Sequence, residues 1–115
     1  MLSKSHRLTK KEFIDVYKKK VFFTPFFAIH ALCPISANES KFSVVVSKKI
    51  AKKAVTRNAL KRRYYLALET YINKIQFPVW CVILVNKKGM EIEGTELDQE
   101  LDKVLKIVEK TCSKM

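Results

Sequence analysis

The run Val79-Trp80-Cys81-Val82-Ile83-Leu84-Val85 is apolar at every position. A strand with one wet face alternates apolar and polar side chains, so this run reads as a central strand buried on both sides. The rest of the chain must then supply neighbouring strands and helices to cover it. At 115 residues there is material for one core and too little for two, so residues 1–115 are expected to form a single domain.

The elements around that strand can be read from capping and periodicity. Thr9-Lys10-Lys11-Glu12 is a capping box: the Thr9 hydroxyl can accept from the Glu12 backbone N–H, while the Glu12 carboxylate reaches back to that of Thr9. Leu8 and Phe13 hold the hydrophobic-staple positions, and Phe13, Val16 and Tyr17 fall at i, i+3 and i+4. A short amphipathic helix is expected from about Lys10 to Lys19. Strand formers follow, with Pro25 as a break, giving a short strand near 21–24 and a longer one near 26–33. Pro34 to Ser40 is a turn, and Phe42 to Ser47 a third strand with Phe42, Val44 and Val46 on one face. Leu60, Tyr64, Ala67, Leu68 and Tyr71 define the buried stripe of a second helix from about Lys53 to Asn73. After the central strand Lys87-Lys88-Gly89 turns the chain, and Thr95 caps a last helix whose stripe is Leu97, Leu101, Val104, Leu105, Val108 and Cys112. The order is αβββαβα, an α+β fold: an α/β sandwich of one mixed sheet with helices packed on it.

Charge is concentrated in the first part of this plan. Between Lys48 and Arg63 stand eight basic residues and no acidic one. The first 66 residues hold 16 Lys and Arg against 3 Asp and Glu, whereas residues 67–115 hold 7 against 8. Cations so crowded repel one another, and a nucleic-acid backbone turns that repulsion into binding by releasing its condensed counterions. A hydrophobic content of 48% excludes intrinsic disorder despite the net charge of +12. The first half is therefore expected to carry the binding surface and the second to complete the fold.

Enzymatic motifs are nearly absent. There is no HExxH, G-x-S-x-G or P-loop, and two glycines, Gly89 and Gly94, are too few for a phosphate cradle. His30, in an apolar strand, reads as a satisfied and partly buried residue rather than a base. The basic half has only Glu12, Asp15 and Glu39 with which to hold divalent metal, so neither catalytic nor metal-ligating residues are assigned. Cys33, Cys81 and Cys112 are odd in number and widely spaced, which argues against disulfides and zinc and for buried thiols in a reducing compartment. No stretch approaches the roughly 20 apolar residues of a membrane span, and the basic N-terminus lacks a signal-peptide core; a cytoplasmic location is expected.

Binding residues are easier to name. Lys53, Arg57 and Lys61 form an i, i+4, i+8 row along one helix edge, from which Arg57 and Lys61 can address successive phosphates. Asn58 supplies a donor and an acceptor suited to a 2′-hydroxyl or a base edge. Phe13 and Tyr17 are open to two readings, core packing or stacking platforms for unpaired bases.

The stretch Val46-Ser47-Lys48-Lys49 followed by Ala54-Val55-Thr56-Arg57-Asn58-Ala59-Leu60-Lys61-Arg62 resembles the protein subunit of bacterial ribonuclease P. Arg7-Leu8 before the first helix, the length, the basicity and the element order are similar too. The resemblance implies an RNA-binding subunit of a ribozyme that removes the 5′ leader from precursor tRNA, with Mg²⁺ held mainly by the RNA. Its partners would be the ribonuclease P RNA subunit and precursor tRNA, with no membrane and no DNA. Carried over by position, Lys48, Lys49, Lys52, Lys53, Arg57, Asn58, Lys61 and Arg62 would contact the RNA subunit, and Phe13 and Tyr17 would line a cleft for the leader. A left-handed βαβ crossover around the second helix is implied as well, against the general handedness rule. Tyr65 and Leu66 stand where the family usually has an Arg-Glu pair. Two rivals share the basicity: a ribosomal or other structured-RNA-binding protein with no role in cleavage, and a peripheral membrane-surface protein.

Overall fold

In the computed structural model, which describes residues 7–17, 20–32, 40–72 and 79–113, the chain runs α1 (Lys10–Tyr17), β1 (Lys20–Phe23), β2 (Phe27–Leu32), β3 (Lys41–Val45), α2 (Ala54–Ile72), β4 (Trp80–Val85), a 3-10 turn (Lys88–Met90) and α3 (Gly94–Ser113). The order αβββαβα is the one expected, and element ends differ from the sequence reading by one or two residues. The third strand stops at Val45 rather than Ser47. The last helix opens at Gly94, one residue ahead of the Thr95 read as its cap, and Gly94 holds φ +60°, left-handed backbone that glycine adopts without steric cost. Residues 34–39 of the expected turn, the ends of the first two helices beyond Tyr17 and Ile72, and the surroundings of Cys33 and Cys112 lie outside the described residues.

The apolar run is the central strand. The sheet has the order β1-β2-β4-β3, with β4 antiparallel to β2 and parallel to β3. β3, α2 and β4 thus make a parallel βαβ unit, the crossover for which the family resemblance implies a left hand. One face of the sheet is sealed: Phe27, Ile29, Phe42, Val44, Cys81, Ile83 and Val85 join Leu60, Tyr64, Leu68 and Tyr71 of α2 and Leu97, Leu101, Leu105 and Val108 of α3 in one buried cluster. Burial at that depth raises the Cys81 thiol well above its usual range, so it behaves as a small apolar side chain.

The other face of β4 is covered less completely than an all-apolar run suggests. Val82 is fully buried, but Trp80 and Leu84 are half-buried. The eight-residue helix α1 packs against β2 and β4 on this side, pinned by Val16, which has no exposed surface. Its capping box forms as read: the Thr9 N–H donates to Glu12 Oε1 at 2.8 Å and the Glu12 N–H to Thr9 Oγ1 at 3.2 Å. The second Glu12 oxygen accepts from Lys41 Nζ of β3 at 2.8 Å, and Lys41 also lies 5.2 Å from the Trp80 ring centre. Burial raises the Glu12 carboxyl, but the Lys41 and Thr9 hydrogen bonds outweigh it and hold the group below the usual carboxylate range. One acidic side chain thereby caps α1 and anchors it over the sheet.

Candidate nucleic-acid interface

On the partly covered face, α1 and β2 bring three rings together. Phe13 and Tyr17 share one side of α1 because residues four apart on a helix stand one above the other. Their ring centres are 5.9 Å apart and nearly parallel, at 17°. Tyr17 then stacks on His30 of β2 at 4.4 Å and 20°. The question periodicity left open is answered residue by residue: Val16 is core, Phe13 is half-buried, and Tyr17 is 48% exposed. A ring half open to solvent can meet a base; a buried one cannot.

Beyond the stack the same face is open among the described residues. Phe23, Ala28, Val45, Ile50 and Leu84, with Ser47 at the rim, line an apolar groove of about 440 Å³, and Phe23 is 80% exposed. Register explains the lining, since Phe23 pairs with Ala28, Ala28 with Leu84 and Leu84 with Val45, so their side chains share one face across four strands. Two of the polar side chains beside the groove, Thr24 and Asn86, are already engaged. Thr24 Oγ1 accepts from the N–H groups of Phe26 and Phe27, and the Asn86 amide donates to the Pro25 carbonyl while its oxygen accepts from the Gly89 N–H. Flat apolar walls of this kind take a planar group by stacking and area and read little of its edge.

The lysine loop flanks this groove through Ser47 and Ile50. Lys48 and Lys49 lie in the turn after β3, Lys52 and Lys53 just before α2, and the loop is fixed by Ala51, which is buried, and by Ile50 in the groove wall. Both the Ile50 and Ala51 N–H groups donate to the Ser47 carbonyl at 3.1 Å. Lys48, Lys49, Lys52, Lys53, Asn58 and Arg62 are exposed, and none is tied into an ion pair with another described residue. Lys61 is half-buried.

Arg57 departs from the simple picture of a phosphate contact. Its Nη1 donates to the carbonyls of Ala51 at 2.9 Å and Lys52 at 2.8 Å, so the side chain turns back and clamps the lysine loop. Its other nitrogens stay available for RNA. Arg57→Lys keeps the charge but loses the planar fork. We expect it to recover little of the affinity for RNA, about tenfold or more, that Arg57→Ala loses, and amide exchange over residues 47–53 to rise in both variants. Recovery by lysine would reduce Arg57 to a point charge. Arg63 is spoken for as well, donating to the carbonyls of Met90 and Ile92, and the basic surface excludes it.

Two contacts near this surface were not legible in the sequence. His30 was expected to be satisfied, yet its Nδ1 is buried without a hydrogen-bond partner. Tyr65, at the usual arginine position, donates nothing to the surface; it is buried, and its hydroxyl accepts from the Val44 N–H on the outer edge of β3. A hydrophobic stripe predicts burial for neither the histidine ring nor that hydroxyl contact.

Among the described residues, no group of three His, Cys, Asp or Glu side chains stands close enough to hold a metal ion.

A family model described as ribonuclease P matches residues 2–109 of this chain. The ribonuclease P protein component of a Picosynechococcus species is 36% identical over 106 residues, covering 90% of each chain. That of Azotobacter vinelandii is 31% identical over 114 residues, covering 92% of this chain and 85% of its own. The fold is shared with the solved RNase P protein of Staphylococcus aureus (TM-score 0.75, 20% identity, 89% and 94% coverage) and that of Thermotoga maritima (TM-score 0.70, 22% identity, 90% and 96% coverage).

Proposed function

Since this chain belongs to the ribonuclease P protein family and is the protein component of that enzyme, we propose that its two surfaces divide the work of assisting the RNA subunit. Lys48, Lys49, Lys52, Lys53, Arg57, Asn58, Lys61 and Arg62 dock the ribonuclease P RNA. Phe13, Tyr17 and the groove beyond them hold the single-stranded 5′ leader of precursor tRNA. Mg²⁺ is held mainly by the RNA, and no step on the protein passes through it. The protein grips and positions; bond cleavage belongs to the RNA. No helix among the described residues is long and apolar enough to cross a membrane, and the role proposed is one exercised in the cytoplasm, where tRNA precursors are made.

The observation that supports this reading best is a juxtaposition: a ring stack with Tyr17 exposed, a mostly apolar groove on the same face, and exposed lysines alongside. Duplex RNA hides its bases, so stacking rings select a single strand, while the lysines alongside meet the phosphates of the RNA subunit. Because the groove walls offer few free hydrogen-bonding groups, the grip should tolerate many leader sequences.

Tyr17→Ala tests the leader contact. It should lower affinity for precursor tRNA by about 1–3 kcal/mol while leaving mature tRNA unaffected. Because Tyr17 is exposed, protein stability should change by about 1 kcal/mol or less. Equal losses for both RNAs, with a lower melting temperature, would return Tyr17 to a packing role.

A further inference from the structure

We propose that His30 makes the leader grip of this protein proton-linked. The inference rests on the leader-binding reading above and goes beyond it. His30 is the inner ring of the stack and its only member with a basic ring nitrogen. Of its two ring nitrogens, Nδ1 is the one that is buried and unpartnered, which leaves Nε2 to meet a ligand on the open side. The neutral tautomer with its hydrogen on Nε2 gives the ring a donor for such a ligand.

A second proton would go on the buried Nδ1, which has no acceptor, and would create a cation with little around it to balance the charge. Across the strands His30 faces Val21 of β1 and Val82 of β4, neither of which titrates. From α1 it meets Tyr17; the other charged residues of that helix, Lys10, Lys11 and Asp15, are exposed. Glu12 is occupied by Lys41 of β3, two strands away from β2. α2 and α3 lie on the opposite face of the sheet. Among the described residues, no carboxylate is therefore placed to hold the imidazolium in the free protein. A leader phosphate beside Nε2 supplies that missing negative charge. Proton and leader then favour each other, and by linkage lower pH tightens the leader while the leader draws a proton.

The test uses the holoenzyme reconstituted from this chain and a ribonuclease P RNA. Equilibrium affinity is measured for mature tRNA and for a precursor with an all-uridine leader and an uncleavable scissile linkage, at pH 5.5 and pH 8. The ratio of the two affinities isolates the leader, and uridine has no group that titrates in this range. The leader advantage should grow about fivefold on going to pH 5.5, the difference between a neutral and a charge-assisted hydrogen bond. His30→Phe, which keeps a ring in the stack, and His30→Gln, which keeps a donor near the Nε2 position, should both retain a leader advantage that no longer varies with pH. Two substitutions guard against one that fails to fold. A leader advantage in the wild type that is flat across pH, or a pH dependence that survives both substitutions, overturns the proposal with the leader-binding reading intact. No leader advantage at either pH overturns that reading, and the proposal with it.

Discussion

Replacing Lys48, Lys49, Lys52 and Lys53 together by alanine is expected to weaken binding to ribonuclease P RNA by roughly a hundredfold or more at 0.15 M salt. The dependence of log affinity on log salt should lose about three units. The argument is one of geometry and counterions. All four side chains are exposed and free of ion pairs with described residues, while the loop beneath them is held by Ala51, by the Ser47 carbonyl and by the Arg57 clamp. They are thus presented to a polyanion in fixed array, and each phosphate they neutralise releases condensed counterions. Stability should not fall, since removing like charges from one loop relieves repulsion. A titration of affinity against salt checks it: an unchanged slope would mean that the RNA lies elsewhere on the protein.

Gly89→Ala should have the largest effect on stability, a loss of about 3 kcal/mol or more, read as a lower urea midpoint. A methyl group there would collide with the Phe26 carbonyl oxygen and sit 2.8 Å from the Tyr64 hydroxyl and 2.9 Å from a Val85 methyl. None of these can retreat cheaply. The Phe26 carbonyl accepts from the Asn86 N–H, and the Tyr64 hydroxyl donates to Gly89's own carbonyl at 2.8 Å inside the core. The same turn holds Asn86, which ties the β1–β2 connection to the end of β4 beside the groove. Leader affinity should therefore fall with stability. Gly94→Ala is the contrasting case: its Cβ would meet open space, and only the φ of +60° opposes it, at about 1–2 kcal/mol. Equal midpoints for Gly89→Ala and wild type would contradict the close approach.

What could be read from the residues was what local physics controls. The Thr9–Glu12 box, the stripes of α2 and α3 and the all-apolar run of β4 declared themselves through capping and period, and the structure places each where it was expected. What depended on topology was hidden. His30 and Tyr17 meet because α1 lies across β2, and no spacing along the chain announces a stack between a helix residue and a strand residue. The groove was hidden for the same reason. The apolar run implied cover on both faces, but among the described residues the second face has only an eight-residue helix over it, and the surplus apolar surface forms the groove. Arg57 illustrates a third limit: its charge was plain, yet the carbonyls of Ala51 and Lys52 that capture it are created by the loop it closes. A local cue that would have helped is the pair Tyr64-Tyr65, whose hydroxyls need buried partners and find them at Gly89 and Val44.

The account turns on assistance to a catalytic RNA, and reconstitution addresses that directly. The purified chain is combined with precursor tRNA at low Mg²⁺ and moderate salt, with and without ribonuclease P RNAs of several bacterial types. Release of the 5′ leader that requires both the chain and one of those RNAs, and that the loop-lysine variant fails to support, is the predicted result. Tight binding of the chain to every RNA with no stimulation of leader release by any would contradict it, and would make the protein a general binder of structured RNA.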